Sequence, residues 1–137
     1  MFNAQRYNPA TFTEGVWTDI MGGQFKVARA GNPEYDAALE RSGYRKIDDP
    51  EKKQRALFRS IAEAILRDWS GVVDAHGDEI PYTTPNAVDV LAENPDLVNR
   101  ILHEANDLTN FRREDVESQG KPPRASSGGK RSGSGGS

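Results

Sequence analysis

The chain has 137 residues, of which 35% are hydrophobic, and this content can support one modest core but not a second folded domain. Its formal net charge is -3, but the residues beyond Gly120 include only basic charges, at Lys121, Arg124, Lys130 and Arg131, so this tail carries +4 and the rest of the chain about -7. An acidic body repels phosphate backbones, and four basic residues give only weak, salt-sensitive contacts. Nucleic-acid binding is therefore not expected.

Cysteine and hydropathy exclude further classes of protein. The chain has no cysteine, so it can form neither a disulfide framework nor a thiolate metal site. The N-terminus lacks a charged start followed by an apolar run, and no stretch approaches the roughly 18 apolar residues that are needed to span a bilayer. We expect a cytosolic protein that is neither secreted nor inserted in a membrane.

The N-terminal third predicts a β-hairpin. Residues 1–13 show no periodicity and are expected to form a loose arm. Residues 15–20 and 24–29 then alternate apolar and polar positions, and the Met21-Gly22-Gly23 turn between them tolerates positive φ. A lone hairpin is marginal in water, so its apolar face should pack on the helices that follow.

Helices follow the hairpin. Asn32-Pro33 and Asp48-Asp49-Pro50 each place a capping side chain before a proline at the first helical position. The second of these helices, roughly residues 50–69, carries the best apolar stripe and is the main core candidate. The stripe comprises Leu57, Ile61 and Ile65, flanked by Phe58, Ala62 and Trp69.

Helical periodicity breaks between Ser70 and Tyr82, where residues 74–78 read as a tight turn between two short extended pieces. A short helix should follow Thr83, and Asn94-Pro95 should separate it from a last helix whose apolar face reaches Phe111. The fold predicted is mainly α within the α+β class, an N-terminal hairpin followed by about four helices. Its limits are residues 14–118, and the Gly- and Ser-rich tail at 119–137 is expected to be disordered.

No catalytic or metal-binding set is expected, and no cofactor. Counted as a calcium loop from Asp74, the chain has Gly77 at the fourth position and Pro85 at the twelfth, where a bidentate Glu is required. His103 with its acidic neighbours is better explained as the polar side of a helix. The serines lie mostly in the tail, where no scaffold would hold a nucleophile beside a base. These patterns predict a protein that is not an enzyme.

Apolar residues outnumber what a hairpin and four short helices can hide, which predicts an exposed surface for a partner. Trp17 and Trp69 are expected to pack inside the domain. Alanine at Tyr82 or Phe111 is expected to weaken partner capture more than folding. The candidate partner-binding residues are Val72, Ile80, Tyr82, Leu108 and Phe111.

Residues 14–114 resemble the tail assembly chaperones of long-tailed phages, a family of morphogenesis proteins. Each shared segment is short, but their order and spacing together are moderately specific. The segments are Gly15–Trp17, Phe25–Tyr35, Trp69–Val72, Asp74–Gly77, Ile80–Thr83 and Ala105–Arg112.

The resemblance implies a mostly helical protein that coats the phage tape measure protein in the host cytoplasm, keeps it soluble and is absent from the finished virion. It also implies self-association into a ring or spiral and a longer product made by ribosomal frameshifting. Gly129-Lys130 is compatible with a slippery codon pair, although such a pair also arises by chance in a tail of this composition, which could itself be an artificial linker. The family often ends its domain with Lys-Asn, which residues 118–121 lack, so the C-terminal limit is open.

Two other functions are compatible with the same sequence. One is a minor structural protein of the virion, such as a tail-completion or connector protein. The other is a small cytosolic adaptor whose basic tail contacts nucleic acid. The oligomeric state, the binding face and the tape measure segment that is recognised do not follow from the sequence.

Overall fold

The computed structural model describes residues 1–113, so the expected end of the domain at 118, the tail at 119–137 and the Gly129-Lys130 pair lie outside the described residues. Within residues 1–113 the chain forms five α-helices, three β-strands and two 3₁₀ turns. In chain order these elements are α1 (Ala10–Glu14), β1 (Val16–Ile20), β2 (Gly23–Val27), α2 (Pro33–Ser42), the 3₁₀ turn Tyr44–Lys46, α3 (Pro50–Ala64), β3 (Leu66–Ser70), α4 (Thr84–Glu93), α5 (Pro95–Asn106) and the 3₁₀ turn Leu108–Phe111.

The predicted hairpin is confirmed. Strands β1 and β2 pair antiparallel, with Val16 opposite Val27. The two loop residues, Met21 and Gly22, have φ of 53° and 90°. Positive φ at both central residues is the requirement of the type I′ turn, whose twist matches that of the flanking strands. The sequence therefore turns the chain in two residues.

The prediction of a helix through residue 69 is wrong beyond Ala64, because β3 begins at Leu66 and pairs antiparallel with β2. The amide of Ala28 donates to the carbonyl of Ile65 over 2.7 Å and extends this contact. Trp69 keeps its predicted place in the core, but on a strand that gives the sheet the order β1-β2-β3. Pairing with the open edge of β2 outweighs the helical spacing of the local sequence.

The predicted helix starts are confirmed by their caps. Side chains of Asn32, Asp49 and Thr83 accept hydrogen bonds from amides in the first turns of α2, α3 and α4. Asn32 is 1% exposed, and its Nδ2 also donates to the carbonyl of Ala64 over 3.1 Å. This one side chain therefore joins the start of α2 to the end of α3.

Helix α5 ends at Asn106 rather than at Phe111, which corrects the predicted length of the last helix. Asp107 is extended and its carboxylate accepts from the amide of Thr109 over 3.1 Å, so it starts a 3₁₀ turn instead. Asn110 closes this turn by donating to the carbonyl of Glu104 over 2.9 Å. A local side-chain cap thus competes with the helix and ends it.

The segment for which the sequence predicts a loose arm instead holds most of α1 and contacts the end of the described chain. The ring of Phe12 meets the ring of Phe111 edge-on at 6.0 Å, and Tyr7 lies 5.9 Å from Phe12. The amide of Arg113 donates to the carbonyl of Arg6 over 2.7 Å. Aromatic packing and backbone pairing therefore fasten residues 6–14 to the C-terminal turn.

The core lies between one face of the sheet and helices α3, α4 and α5, which confirms the α+β class with four α-helices after the hairpin within residues 1–113. Among the same residues, no helix has the length and apolar character that crossing a membrane requires. The largest side chains of this core are Trp69, Phe25 and Phe58, and they pack with the fully buried aliphatic side chains of Ile20, Ile61, Ile65, Leu66, Leu91 and Ile101.

Candidate partner-binding groove

The segment of residues 72–80, called here the 72–80 turn, folds back on itself. The amide of Ile80 donates to the carbonyl of Val72 over 2.8 Å, and the amide of Asp74 donates to the carbonyl of Asp78 over 2.9 Å. The Asp74 carboxylate accepts from the amides of His76 and Asp78 over 2.8 and 3.0 Å. The predicted tight turn between two extended pieces is confirmed, and Asp74 holds it together.

Aromatic residues anchor the C-terminal side of this turn to the core. The indole Nε1–H of Trp69 donates to the carbonyl of Ile80. The ring of Tyr82 packs edge-on against Trp69 at 5.1 Å, and its hydroxyl donates to the carbonyls of Ala62 and Leu66. The phenol thus meets the last turn of α3 and the first residue of β3, which fixes the position of the 72–80 turn.

Burial raises the pKa of Tyr82 from its ordinary value near 10 to about 12, and the positive charge of Arg67 opposes this rise. The hydroxyl is therefore protonated at neutral pH, as its two carbonyl acceptors require. Tyr82 is half-buried and makes structural contacts within the domain.

A groove of about 460 Å³ opens between the tip of the hairpin, the 72–80 turn and the junction of α4 with α5; we call it the apolar groove. Its floor consists of the buried side chains of Ile20, Phe25 and Leu97. Its walls include Met21, Val72, Val73, Ile80 and Val90. Met21 is 60% exposed and Val73 is 51% exposed, so the walls present hydrocarbon to solvent.

The charged residues that line the apolar groove are acidic. Asp74 lies on the 72–80 turn, and Glu93 is the last residue of α4. Both side chains are exposed, and neither takes part in an ion pair within residues 1–113. The described lining contains no Lys, Arg or His. The groove therefore combines an apolar interior with a negative rim.

The structure brings together two of the five predicted partner-binding residues, because Val72 and Ile80 both line the apolar groove. Leu108 is 44% exposed but lies on the C-terminal 3₁₀ turn, outside this lining. Phe111 is fully buried against Phe12 and presents no surface to a partner in this conformation. The role of Phe111 in partner capture stays a prediction, and its packing inside the domain favours a role in folding.

Sequence reasoning missed Met21, Val73 and Val90 as wall residues. Met21 offered a usable signal, because hairpin turns at positive φ ordinarily take Gly, Asn or Asp, and a long apolar side chain there costs strain. Strain at an exposed position points to a role outside folding. The other two residues gave no comparable signal, since valines in extended and helical segments are ordinary.

Within residues 1–113, no three of the His, Cys, Asp and Glu side chains lie where they could hold a metal ion. Hydrogen bonds from Thr109 hold the pKa of Asp107 below its ordinary value, so this carboxylate is ionised as the cap of a turn. Glu104, beside His103, pairs with Arg100 at 3.8 Å and accepts from Asn110 at 2.9 Å. Through these contacts the acidic residues around His103 stabilise local structure.

A protein-family model described as YdaY prophage protein matches residues 24–121 of this chain. The matched range is more than half of the chain and contains every wall residue of the apolar groove named above except Met21. No curated protein and no solved structure matches the chain.

Proposed function

The chain belongs to the YdaY prophage protein family, and from this premise we propose that it is a tail assembly chaperone that binds and solubilises the phage tape measure protein. In this proposal the protein works by binding and not by catalysis. It acts in the host cytoplasm and leaves before the virion is complete.

The observation that carries the proposal is the apolar groove. Met21 and Val73 expose more than half of their surface, and they adjoin Val72 and Ile80 in one concave site. Single exposed apolar residues are normal on a soluble protein, whereas apolar residues that converge on one concave site favour a binding site. A chaperone for an aggregation-prone partner needs such a surface on an otherwise charged domain.

The proposed role requires a reversible interaction. Many weak, repeated contacts along one long partner give strong overall binding through effective concentration, and each contact can still be released singly. A release step is required if tail tube subunits are to displace the chaperone. The resemblance of residues 14–114 to tail assembly chaperones supports this role, and the prophage family supports a phage origin, which the role requires.

The proposal includes two further expectations, one about self-association and one about a longer polypeptide. We expect copies of the protein to associate in a ring or spiral on the tape measure protein. We also expect a longer, frameshifted product if the codons of Gly129-Lys130 form a slippery pair. Sequencing this part of the gene and detecting the longer product by mass spectrometry test the second expectation.

Co-expression tests the proposed function directly. The partner is the longest helix-rich reading frame downstream in the same prophage, and its solubility is measured with and without this protein. We expect the long protein to become soluble and to co-purify with many copies of the wild-type chain. Continued insolubility beside a folded chain, with the longer product also supplied, would contradict the proposal.

Matched variants locate the binding surface. Met21→Asn removes an exposed apolar side chain from the apolar groove, and Leu108→Asn removes one from the C-terminal 3₁₀ turn. We expect only Met21→Asn to lower co-purification. Lower co-purification with Leu108→Asn alone would instead assign the partner surface to the C-terminal 3₁₀ turn.

Two independent assays address the alternative roles. Detection of the protein in purified particles by mass spectrometry would assign it to the virion as a connector or tail-completion protein. A gel shift with nucleic acid that disappears on deletion of residues 120–137 would assign it to an adaptor role.

A further inference from the structure

The segment that borders the apolar groove has an unbalanced charge. Between Arg67 and Arg100 the sequence contains seven Asp or Glu residues and no Lys or Arg. This span includes the 72–80 turn and all of α4, and its seven acidic residues are all exposed. The apolar groove therefore lies in a negative sector of the surface.

We propose that the apolar groove binds an amphipathic helix of a partner protein whose apolar stripe is flanked by Lys or Arg. This inference rests on the proposed function and deepens it, because it states the chemistry of the segment that the chaperone recognises.

The apolar walls accept hydrocarbon of varied shape. Met21 lies at the hairpin tip with its flexible side chain largely exposed, and it lines the same groove as Val73. A thioether chain adapts to different partner side chains, which suits a site that meets many segments of one long protein. Covering these residues removes apolar surface from water, which drives binding.

The acidic rim favours a partner that carries positive charges. Glu93 is the last residue of α4, where the negative end of the helix dipole disfavours an acid, and the last turn of α4 contains no basic residue. Asp74, on the 72–80 turn, is the second acidic residue of the lining. A partner helix with Lys or Arg on both sides of its apolar stripe would place one positive charge near each acid.

The hydrogen bonding favours a helix over an added strand. A strand would need free backbone groups, but the amides of Asp74 and Ile80 already donate within the 72–80 turn. Strand β2, which contributes Gly23 and Phe25 to the lining, has a neighbouring strand on each side. The 72–80 turn and β2 therefore offer side chains rather than a backbone edge, and recognition by side chains is typical of a helix in a groove.

Two synthetic peptides test the charge requirement on the full-length protein. Both carry the same leucine stripe at helical spacing, one flanked by Lys and the other by Glu, and binding is measured by fluorescence anisotropy. We expect the Lys peptide to bind at least about tenfold more tightly, with a preference that shrinks as salt is raised. Equal binding of the two peptides, or no binding of the Lys peptide, would overturn the proposal.

Charge reversal at the rim tests where the peptide binds. Glu93→Lys is expected to weaken the Lys peptide about fivefold to tenfold and to strengthen the Glu peptide. The control is Glu40→Lys, an exposed reversal on α2 that also breaks the ion pair with Arg45 but lies outside the lining of the apolar groove, and it should change neither affinity. Because a cation suits the end of α4, Glu93→Lys should not lower the melting temperature. Similar effects of both reversals on peptide affinity would show only non-specific charge attraction and would overturn the assignment of the peptide to the apolar groove.

The peptide assay and co-expression separate the two proposals. If the tape measure protein is solubilised but neither Glu93→Lys nor Met21→Asn affects its capture, the groove assignment fails and the chaperone function stands. If the Lys peptide binds at the groove but the tape measure protein is not captured, the site stands and the proposed function fails. Charge-dependent self-association that is abolished by Glu93→Lys, without peptide binding, would make this face a contact between copies and overturn the inference.

Discussion

The indole Nε1–H of Trp69 donates a hydrogen bond of 2.7 Å to the carbonyl oxygen of Ile80. This bond crosses from β3 in the core to the end of the 72–80 turn, so it links the packing of the sheet to the wall of the apolar groove. Trp69 also packs edge-on against Phe25 at 6.4 Å. One buried side chain therefore couples domain stability to the shape of the candidate binding site.

Trp69→Phe should loosen the 72–80 turn as well as lower stability. Loss of the indole donor leaves the Ile80 carbonyl without this bond, which costs about 1–3 kcal/mol in the free energy of unfolding. Urea unfolding measures that loss, and amide exchange at Ile80 reports the turn itself, since this amide donates to Val72. The control is Trp17→Phe, at a half-buried tryptophan on β1 whose indole makes no hydrogen bond within residues 1–113. Unchanged exchange at Ile80 in Trp69→Phe would contradict the coupling.

Asn32 should contribute more to stability than an exposed helix cap. It accepts from the amides of Glu34 and Tyr35 and donates to the carbonyl of Ala64, all while 1% exposed. Asn32→Ala is expected to cost about 2–4 kcal/mol, because the cap is lost and buried carbonyls lose a donor. Thr83→Ala removes an exposed cap from α4 and should cost only about 0.5–2 kcal/mol. Equal losses in urea unfolding would show that the buried link to α3 adds nothing.

Local signals account for the part of the fold that the sequence predicted. The caps of α2, α3 and α4 and the positive-φ turn of the hairpin depend on residues adjacent in the chain. Strand β3 depends instead on pairing with β2, about forty residues earlier, which no local pattern reports. Local patterns also reveal only part of the site. Val72 and Ile80 were predicted as apolar residues in an irregular segment, whereas Met21 is distant in the sequence and lies beside them only in the folded domain.

Tyr82 should make the stability of the protein fall at high pH. Its pKa is raised to about 12 in the folded state, chiefly by burial, while the unfolded chain titrates near its ordinary value of about 10. A raised folded pKa means that its stabilising contribution is fully present below about pH 10 and is lost as pH rises towards about 12. Melting temperatures across this range should fall less steeply in Tyr82→Phe than in the wild type. Parallel curves would show that the phenol is not titrating in this window.

Phe111→Ala should weaken folding and not partner capture per folded molecule. The ring is fully buried and contacts Phe12, so truncation removes a packed aromatic side chain and costs about 3–5 kcal/mol. Co-purification is then normalised to the folded fraction measured by circular dichroism. A drop in normalised capture would restore the sequence-based expectation that Phe111 serves the partner. Leu108→Asn, on the same 3₁₀ turn but exposed, is the control for surface effects.

Met21→Asn separates binding from folding because the two effects have opposite signs. Met21 holds φ at 53°, a left-handed conformation that Asn tolerates better than Met, so the variant should be more stable by about 0.4–1 kcal/mol in urea unfolding. The same change removes an apolar side chain that is 60% exposed from the wall of the groove and should lower partner capture. If the variant is more stable and captures less partner, the lower capture cannot result from unfolding and must come from a weaker contact with the partner. Full capture by a stabilised Met21→Asn would mean that the strained methionine does not serve the partner.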